Sequence, residues 1–174
     1  MTLDILATGR FTRLVSKDGW EFVERTNASG IVIIVAVTPA GELLLVEQHR
    51  APVDARVIEL PAGLSGDIAG EEDEALEVAA LRELEEETGW RAAEVRRVVE
   101  GPLSAGLSSE VVSFFLARDL VRIGEGGGDD SEDITVHAVP LAEVPAWIAR
   151  RTAEPGVLVD PKVYAALWFA KRDG

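Results

Sequence analysis

The sequence predicts an α+β protein in which helices pack on a mixed β-sheet, preceded by a small N-terminal antiparallel β region. Three observations carry this. "GIVIIVAVT", Gly30 to Thr38, is a continuous β-branched run, the pattern of a strand buried on both faces. Glu72 to Thr88 is rich in Ala, Leu and Glu, all strong helix formers, and Gly89 supplies a stop. The elements run strands, helix, strands, helices, an order that suits one mixed sheet with helices against it.

Taken in order, "RFTRLVS" and "WEFVERT" flank the turn-like "KDG" and make a hairpin. After the buried strand, "PAG" turns the chain into "ELLLVEQHR", a second strand, and Val57 to Leu60 form a third. "PAGLSGDIAG" is rich in Gly and Pro and reads as a loop. Beyond the helix, "EVRRVVEG" and "EVVSFFLARDL" are strands, and "IGEGGGDDSED" is a flexible acidic loop leading into the strand "ITVHAVP". "AEVPAWIARR" is a helix. The last element, "VDPKVYAALWFAKR", starts with Asp160 as N-cap and Pro161 at the first helical position.

The 174 residues suit one domain of ordinary size, and 47% hydrophobic with 28% charged residues is a globular composition. Against 17 basic residues stand 31 acidic ones, a net charge of −14, which argues against a nucleic-acid partner because phosphate binding needs a basic surface. The absence of cysteine excludes disulfides, thiolate zinc sites and cysteine nucleophiles. "MTLDILATGR" carries an acid at Asp4 and no apolar run of signal-peptide length. No stretch reaches the roughly eighteen apolar residues of a membrane span. The expectation is a cytoplasmic protein without membrane or nucleic-acid partners. An acidic chain that binds an anion must, however, find cations locally.

The segment "ALRELEEETGW" poses that problem sharply, with four glutamates in five positions. At about 100° per residue, Glu83, Glu86 and Glu87 share one face of the helix while Glu85 points elsewhere. Ala79 and Ala80 lie on the same side a turn earlier, and Leu76, Leu81 and Leu84 are available for packing. Like charges at i,i+4 cost roughly 0.2–0.5 kcal/mol per pair if nothing intervenes. Such a face is either solvated or holds something positive. A solvated helix usually alternates signs, yet no basic residue follows Arg82 until Arg91. Hard carboxylate oxygens select Mg²⁺ or Mn²⁺ over zinc, so the segment reads as a divalent-metal site.

"RELEEETGW", Arg82 to Trp90, resembles the core of the Nudix hydrolase signature, with Glu74 as the upstream signature glutamate and Gly63 of "ELPAGL" as the first glycine. The spacing implies about three extra residues in the intervening loop. "VEQHR", "VIELPAGL", "SAGLSSE", "SEDITVHAVPL" and "VDPKVYAALWF" follow in the order found in ADP-ribose pyrophosphatases and related nucleoside-diphosphate-sugar hydrolases. One marker differs: Ser104-Ala105-Gly106 stands where those enzymes usually have Ser-Pro-Gly. The resemblance implies a Nudix-type α/β/α sandwich over residues 29–174. Residues 1–28 would then be an N-terminal β-hairpin region that serves as a dimerisation element in a homodimer.

The implied reaction is Mg²⁺-dependent hydrolysis of the pyrophosphate of ADP-ribose or a similar nucleoside diphosphate sugar. By positional match, Glu83 and Glu87 are direct metal ligands, Glu86 ligates metal or polarises its water, and the Ala62 backbone carbonyl is a further ligand. Arg82 orients a carboxylate, or else forms a simple surface salt bridge. Glu132, in the late acidic loop, is the catalytic base; Glu110 competes for that role or contacts substrate or metal. Arg50 supplies a cation to the terminal phosphate or ribose, or is an edge charge. Trp20 stacks on a base, or packs within its own chain. His49 and His137 read as structural histidines, and Trp90, Trp147 and Trp168 as core. The competing functions are hydrolysis of GDP-mannose or a dinucleoside polyphosphate, and a non-catalytic ADP-ribose-binding module, which would be expected to lose the glutamates kept here.

Overall fold

A computed structural model describes residues 3–128 and 133–173. The chain opens with strands β1 (Asp4–Thr8), β2 (Thr12–Lys17) and β3 (Trp20–Arg25), then β4 (Gly30–Ala36), β5 (Glu42–Arg50), β6 (Ala55–Glu59) and β7 (Ala62–Ser65). Helix α1 (Leu76–Thr88) follows, then β8 (Trp90–Arg91), β9 (Glu94–Pro102), β10 (Val111–Arg118), β11 (Val121–Arg122) and β12 (Thr135–Pro140). Helix α2 (Val144–Arg151), β13 (Val157–Val159) and α3 (Lys162–Asp173) complete the order.

The first three strands form their own antiparallel sheet, β1-β2-β3. Two four-stranded mixed sheets make the body, in the orders β7-β4-β10-β9 and β12-β5-β6-β13. Each contains one parallel pair, β4 with β10 and β6 with β13. The β-branched run behaves as its composition requires. Val32, Ile34 and Ala36 pack with Ala79, Ala80 and Leu84 of α1, whereas Ile33 and Val35 pack with Val144, Ile148 and residues of α3. Strand β4 is thus covered on both faces, and β5 splits in the same way, Leu44 toward α1 and Leu43 and Leu45 toward α2 and α3. This is the expected α/β/α sandwich. Truncating a buried anchor such as Leu84 would cost about 2–5 kcal/mol through lost contacts and a cavity.

Several details differ from the sequence reading. Ala62–Ser65, expected as loop, is strand β7, paired antiparallel with Ile33–Gly30. Its small residues let it lie close beside β4 and against α1. Helix α1 starts at Leu76 rather than Glu72, because Ala75 is extended (φ −69, ψ 143) and Ser65 Oγ donates to the Glu74 carbonyl at 2.7 Å. Tertiary bonds override good helix propensity there. Gly89 ends the helix at φ 71, and a Cβ on it would lie 2.4 Å from the Gly124 carbonyl oxygen, so no other residue fits without a shift. Strands β1 and β13 and the short β8–β11 ribbon were not foreseen. Asp160 does cap α3, its Oδ1 accepting the Lys162 N–H at 2.8 Å across Pro161.

Trp90 and Trp147 are half-buried against the core, but Trp168 is exposed with Arg172 over its ring, which corrects its assignment to the core. His137 is structural, bonded to Glu47 at 2.9 Å and packed on Trp147. His49 instead sits at the open end of β5, 3.8 Å from Asp54.

Candidate active site

A cleft of about 430 Å³ opens where β4, β5 and β7 meet α1. Glu83 and Glu87 form one wall together with Gly63 and Asp67. Cations stand elsewhere around it: Arg25 from β3, Arg50 from the end of β5 and Lys162 from the start of α3. Fold and site are linked through β7, which α1 presses against the carboxylate side.

Gly63 is the tightest point of that contact. A Cβ there would stand 1.9 Å from Glu83 Cδ, so only a glycine leaves room for the carboxylate. Glu87 is almost completely buried and accepts the Ala62 N–H at 3.0 Å through Oε2. Burial pushes the Glu83 carboxyl up to about 7 against the pull of Arg82, and repulsion from Glu86 and Asp67 adds to the rise.

Arg82 is the hub of the acidic face. Its Nε and Nη2 each donate to Glu74 at 3.1 Å, its Nη1 to Glu83 at 2.8 Å and to Glu86 at 3.1 Å, and its Nη2 to the Leu64 carbonyl at 2.9 Å. Hydrogen bonds from Arg82 hold Glu74 below the ordinary carboxylate range. At 19% side-chain exposure, Arg82 is a largely buried hub with five such bonds, to three carboxylates and one carbonyl. Glu86 stays open to solvent and Glu85 pairs with Arg91, away from the cluster.

Among the described residues, no three His, Cys, Asp or Glu side chains stand grouped around a common ion position. Arg82 holds Glu83 and Glu86, and the Ala62 N–H holds Glu87. The donor chemistry does fit a hard divalent cation. The donors are carboxylate oxygens, two of them line the cleft, and burial of Glu83 makes its ionised form dependent on nearby positive charge.

Arg50 lines the cleft and donates through Nε to Glu59 at 2.6 Å. Glu110 lines it too, accepting from Arg25 Nε at 2.8 Å. Trp20 does not reach the cleft of its own chain. It is exposed and borders a separate groove with Phe22, Ala105 and Gly106. Glu132 lies outside the described residues. Sequence reasoning missed Arg25, Gln48 and Lys162, all cleft residues. Lys162 could have been suspected as a cation directly behind the Asp160–Pro161 helix start; Arg25 and Gln48 carry no such local signal.

The family model for the NUDIX domain matches residues 27–164. An ADP-ribose pyrophosphatase of Bacillus subtilis (strain 168) is 33% identical over 140 residues, covering 80% of this chain and 71% of that protein. A GDP-mannose pyrophosphatase of Enterobacter sp. (strain 638) is 30% identical over 162 residues, covering 88% of this chain and 78% of the relative. The solved structure of an ADP compounds hydrolase superposes with a TM-score of 0.73 at 20% identity, covering 99% of this chain and 91% of that one, which shows the shared fold. With the acidic helix, the glycine packed against it and the matched domain in agreement, the chain belongs to the Nudix family and is a Nudix pyrophosphohydrolase.

Proposed function

We propose that the chain hydrolyses the pyrophosphate bond of ADP-ribose or a related nucleoside diphosphate sugar, giving a nucleoside monophosphate and a sugar phosphate. One observation carries the reading: α1 carboxylates and the cations Arg25, Arg50 and Lys162 share a single cleft. A diphosphate needs both. The cations bind its oxygens, and the carboxylates serve the phosphorus under attack.

Glu83 and Glu87, with Glu86 and the Ala62 carbonyl, are the residues that would hold Mg²⁺, with Mn²⁺ the alternative. A divalent ion there neutralises phosphate charge and lowers the pKa of a water nucleophile. The chain's own groups do the rest. Arg82 orients Glu83 and Glu86. Glu132 takes the proton of the attacking water, the bridging P–O bond breaks, and the leaving phosphate carries away the electron pair. Glu110 positions Arg25 against the substrate.

The experiment is hydrolysis of a panel of ADP-ribose, GDP-mannose and a dinucleoside polyphosphate with Mg²⁺, the products read by phosphorus NMR, and repeated with excess chelator. Turnover that survives chelation overturns the reading. GDP-mannose is the second reading, favoured by the comparable similarity of the Enterobacter relative. If the wild type hydrolyses no panel substrate yet binds ADP-ribose as well as Glu86→Gln does, the chain is a binding module instead.

Residues 1–28 are proposed as a dimerisation element of a cytoplasmic homodimer acting on this small substrate. Support comes from the apolar side chains Ile5, Leu6, Phe11 and Trp20, which the N-terminal sheet leaves exposed. Light scattering of the full chain and of Ile5→Glu tests it; a wild-type monomer sinks it.

A further inference from the structure

A second ionic cluster, remote in sequence from the acidic helix, is built around Glu47. This carboxylate is buried and accepts from Arg56 Nε at 2.9 Å, from Arg151 Nη2 at 2.8 and 2.9 Å, and faces His137 Nε2 at 2.9 Å. Its acceptor capacity is filled by three partners from β6, α2 and β12. Arg56 has donors left over. Nη1 donates to Asp133 Oδ2 at 3.1 Å and Nη2 to Thr135 Oγ1 at 3.3 Å, while Nη2 also reaches the Glu47 carbonyl at 3.2 Å.

Asp133 and Thr135 are where the acidic loop rejoins the sheet. The other arm of that loop is tied as well. Gly127 and Gly128 donate their N–H groups to the carbonyls of Glu87 at 2.8 Å and Glu86 at 3.1 Å, the backbone of the acidic helix itself. One arm therefore hangs from α1 and the other from Arg56.

We propose that Arg56 is a positioning residue for the hydrolysis, fixing through Asp133 where the loop between β11 and β12 re-enters the sheet. The Asp133 side chain is 84% exposed, so its ion pair with Arg56 contributes little to stability, and placement is what it can supply. Only a planar guanidinium with several forked donors can serve Glu47, Asp133 and Thr135 together; a lysine cannot. The consequence for the reaction rests on the functional reading above, in which Glu132, the residue before Asp133 in the sequence, is the base.

The test is steady-state hydrolysis of ADP-ribose with Mg²⁺ by the full chain. Arg56→Met is expected to lower kcat about tenfold with KM within twofold. Asp133→Ala, an exposed change that leaves folding intact, lowers kcat in the same direction. The double variant is no slower than the slower single one, and Arg56→Met has no further effect in a Glu132→Gln background. The proposal is overturned if Asp133→Ala matches wild type. It is equally overturned if the two losses multiply, or if Arg56→Met slows Glu132→Gln by the same factor as it slows wild type. Should Glu132→Gln itself run at the wild-type rate, the assignment of the base fails. Arg56 is then judged by the Arg56–Asp133 pair alone. An inactive wild type removes both readings at once.

Discussion

Gly63 and Glu83 occupy what is in effect a single volume: a Cβ on the glycine would lie 1.9 Å from Cδ, 2.1 Å from Oε1 and 2.4 Å from Oε2 of the glutamate. The clash falls on the far end of a flexible side chain and not on backbone. Gly63→Ala should therefore fold, with the Glu83 carboxylate pushed out of place. The expected outcome is a loss of kcat of roughly 10–100-fold, the scale seen when the support of a metal ligand is disturbed. The melting temperature should change by only a few degrees. Kinetics and calorimetry on one preparation check both; a variant at full rate would show that Glu83 has no fixed role.

Glu83→Gln separates function from stability. The buried carboxyl, raised to about 7, is unfavourable as an anion at neutral pH when no ion accompanies it. The amide removes that cost together with the metal ligand. Turnover with Mg²⁺ should fall by more than about 100-fold. In chelator at pH 8 the variant should melt no lower than wild type. Removal of divalent ions should silence wild type in the same way, and Mg²⁺ or Mn²⁺ should restore it. A Glu83→Gln protein that is active, or clearly less stable in chelator, contradicts this account.

Much of the fold was legible because hydrophobic pattern and propensity agreed. The β-branched run became β4, the Ala-, Leu- and Glu-rich run became α1, and the Asp160–Pro161 pair marked the start of α3. What escaped were elements whose identity depends on distant partners. β7 is a Gly-containing segment made a strand by β4, and β13 is three residues made a strand by β6. The site divides in the same way. The glutamates and Arg82 lie on one helix, so their spacing showed that they belong together. Arg25 and Lys162 reach the cleft from opposite ends of the chain; the Asp160–Pro161 helix start hints at Lys162, but nothing near Arg25 announces it. Trp20 drew attention as an aromatic, but its position beside the Ala105–Gly106 loop follows from how β3 docks on that loop. Val23 exchanges backbone hydrogen bonds with Leu107 and Ser109 at 2.9 and 3.0 Å.

Arg82 should not tolerate lysine. Its fork serves Glu74, Glu83, Glu86 and the Leu64 carbonyl together, and an ammonium retains the charge while abandoning most of those directions. Arg82→Lys is expected to lower kcat about 10–100-fold by loosening Glu83 and Glu86. Arg82→Ala additionally strands Glu74, whose side chain is 3% exposed, and should cost on the order of 3 kcal/mol in urea unfolding. Equal activity in lysine variant and wild type would reduce Arg82 to a structural ion pair.

The Glu47 cluster predicts the acid limb of the stability curve. Burial alone would raise this carboxyl, but hydrogen bonds from Arg151, Arg56 and His137 outweigh it and hold it at about 2, below the ordinary 4.5. A depressed folded value means stabilisation that is complete above about pH 4.5 and lost as pH falls through about 2. Glu47→Gln should be less stable than wild type by on the order of 2–3 kcal/mol at pH 7. The gap between the two proteins should shrink steadily between pH 4.5 and 2. Urea midpoints at several pH values measure it; a gap independent of pH would mean that the cluster stabilises by packing and not by charge.

The cleft cations should act on substrate affinity more than on the chemical step. Arg50 donates to Glu59 and Arg25 to Glu110, so each is held in place before any ligand arrives, and both face the same opening as the carboxylates. A preset cation that touches the substrate equally in ground and transition states lowers KM without changing kcat. Arg50→Ala and Arg25→Ala should each raise KM for ADP-ribose by about tenfold, the loss of roughly one charge-assisted hydrogen bond, with kcat within about threefold. Because Arg25 comes from β3, its effect also asks whether the N-terminal sheet contributes to the cleft in solution. A KM unchanged by Arg25→Ala would mean that the sheet leaves that position when substrate binds, and a fall confined to kcat would place the arginine in the transition state instead.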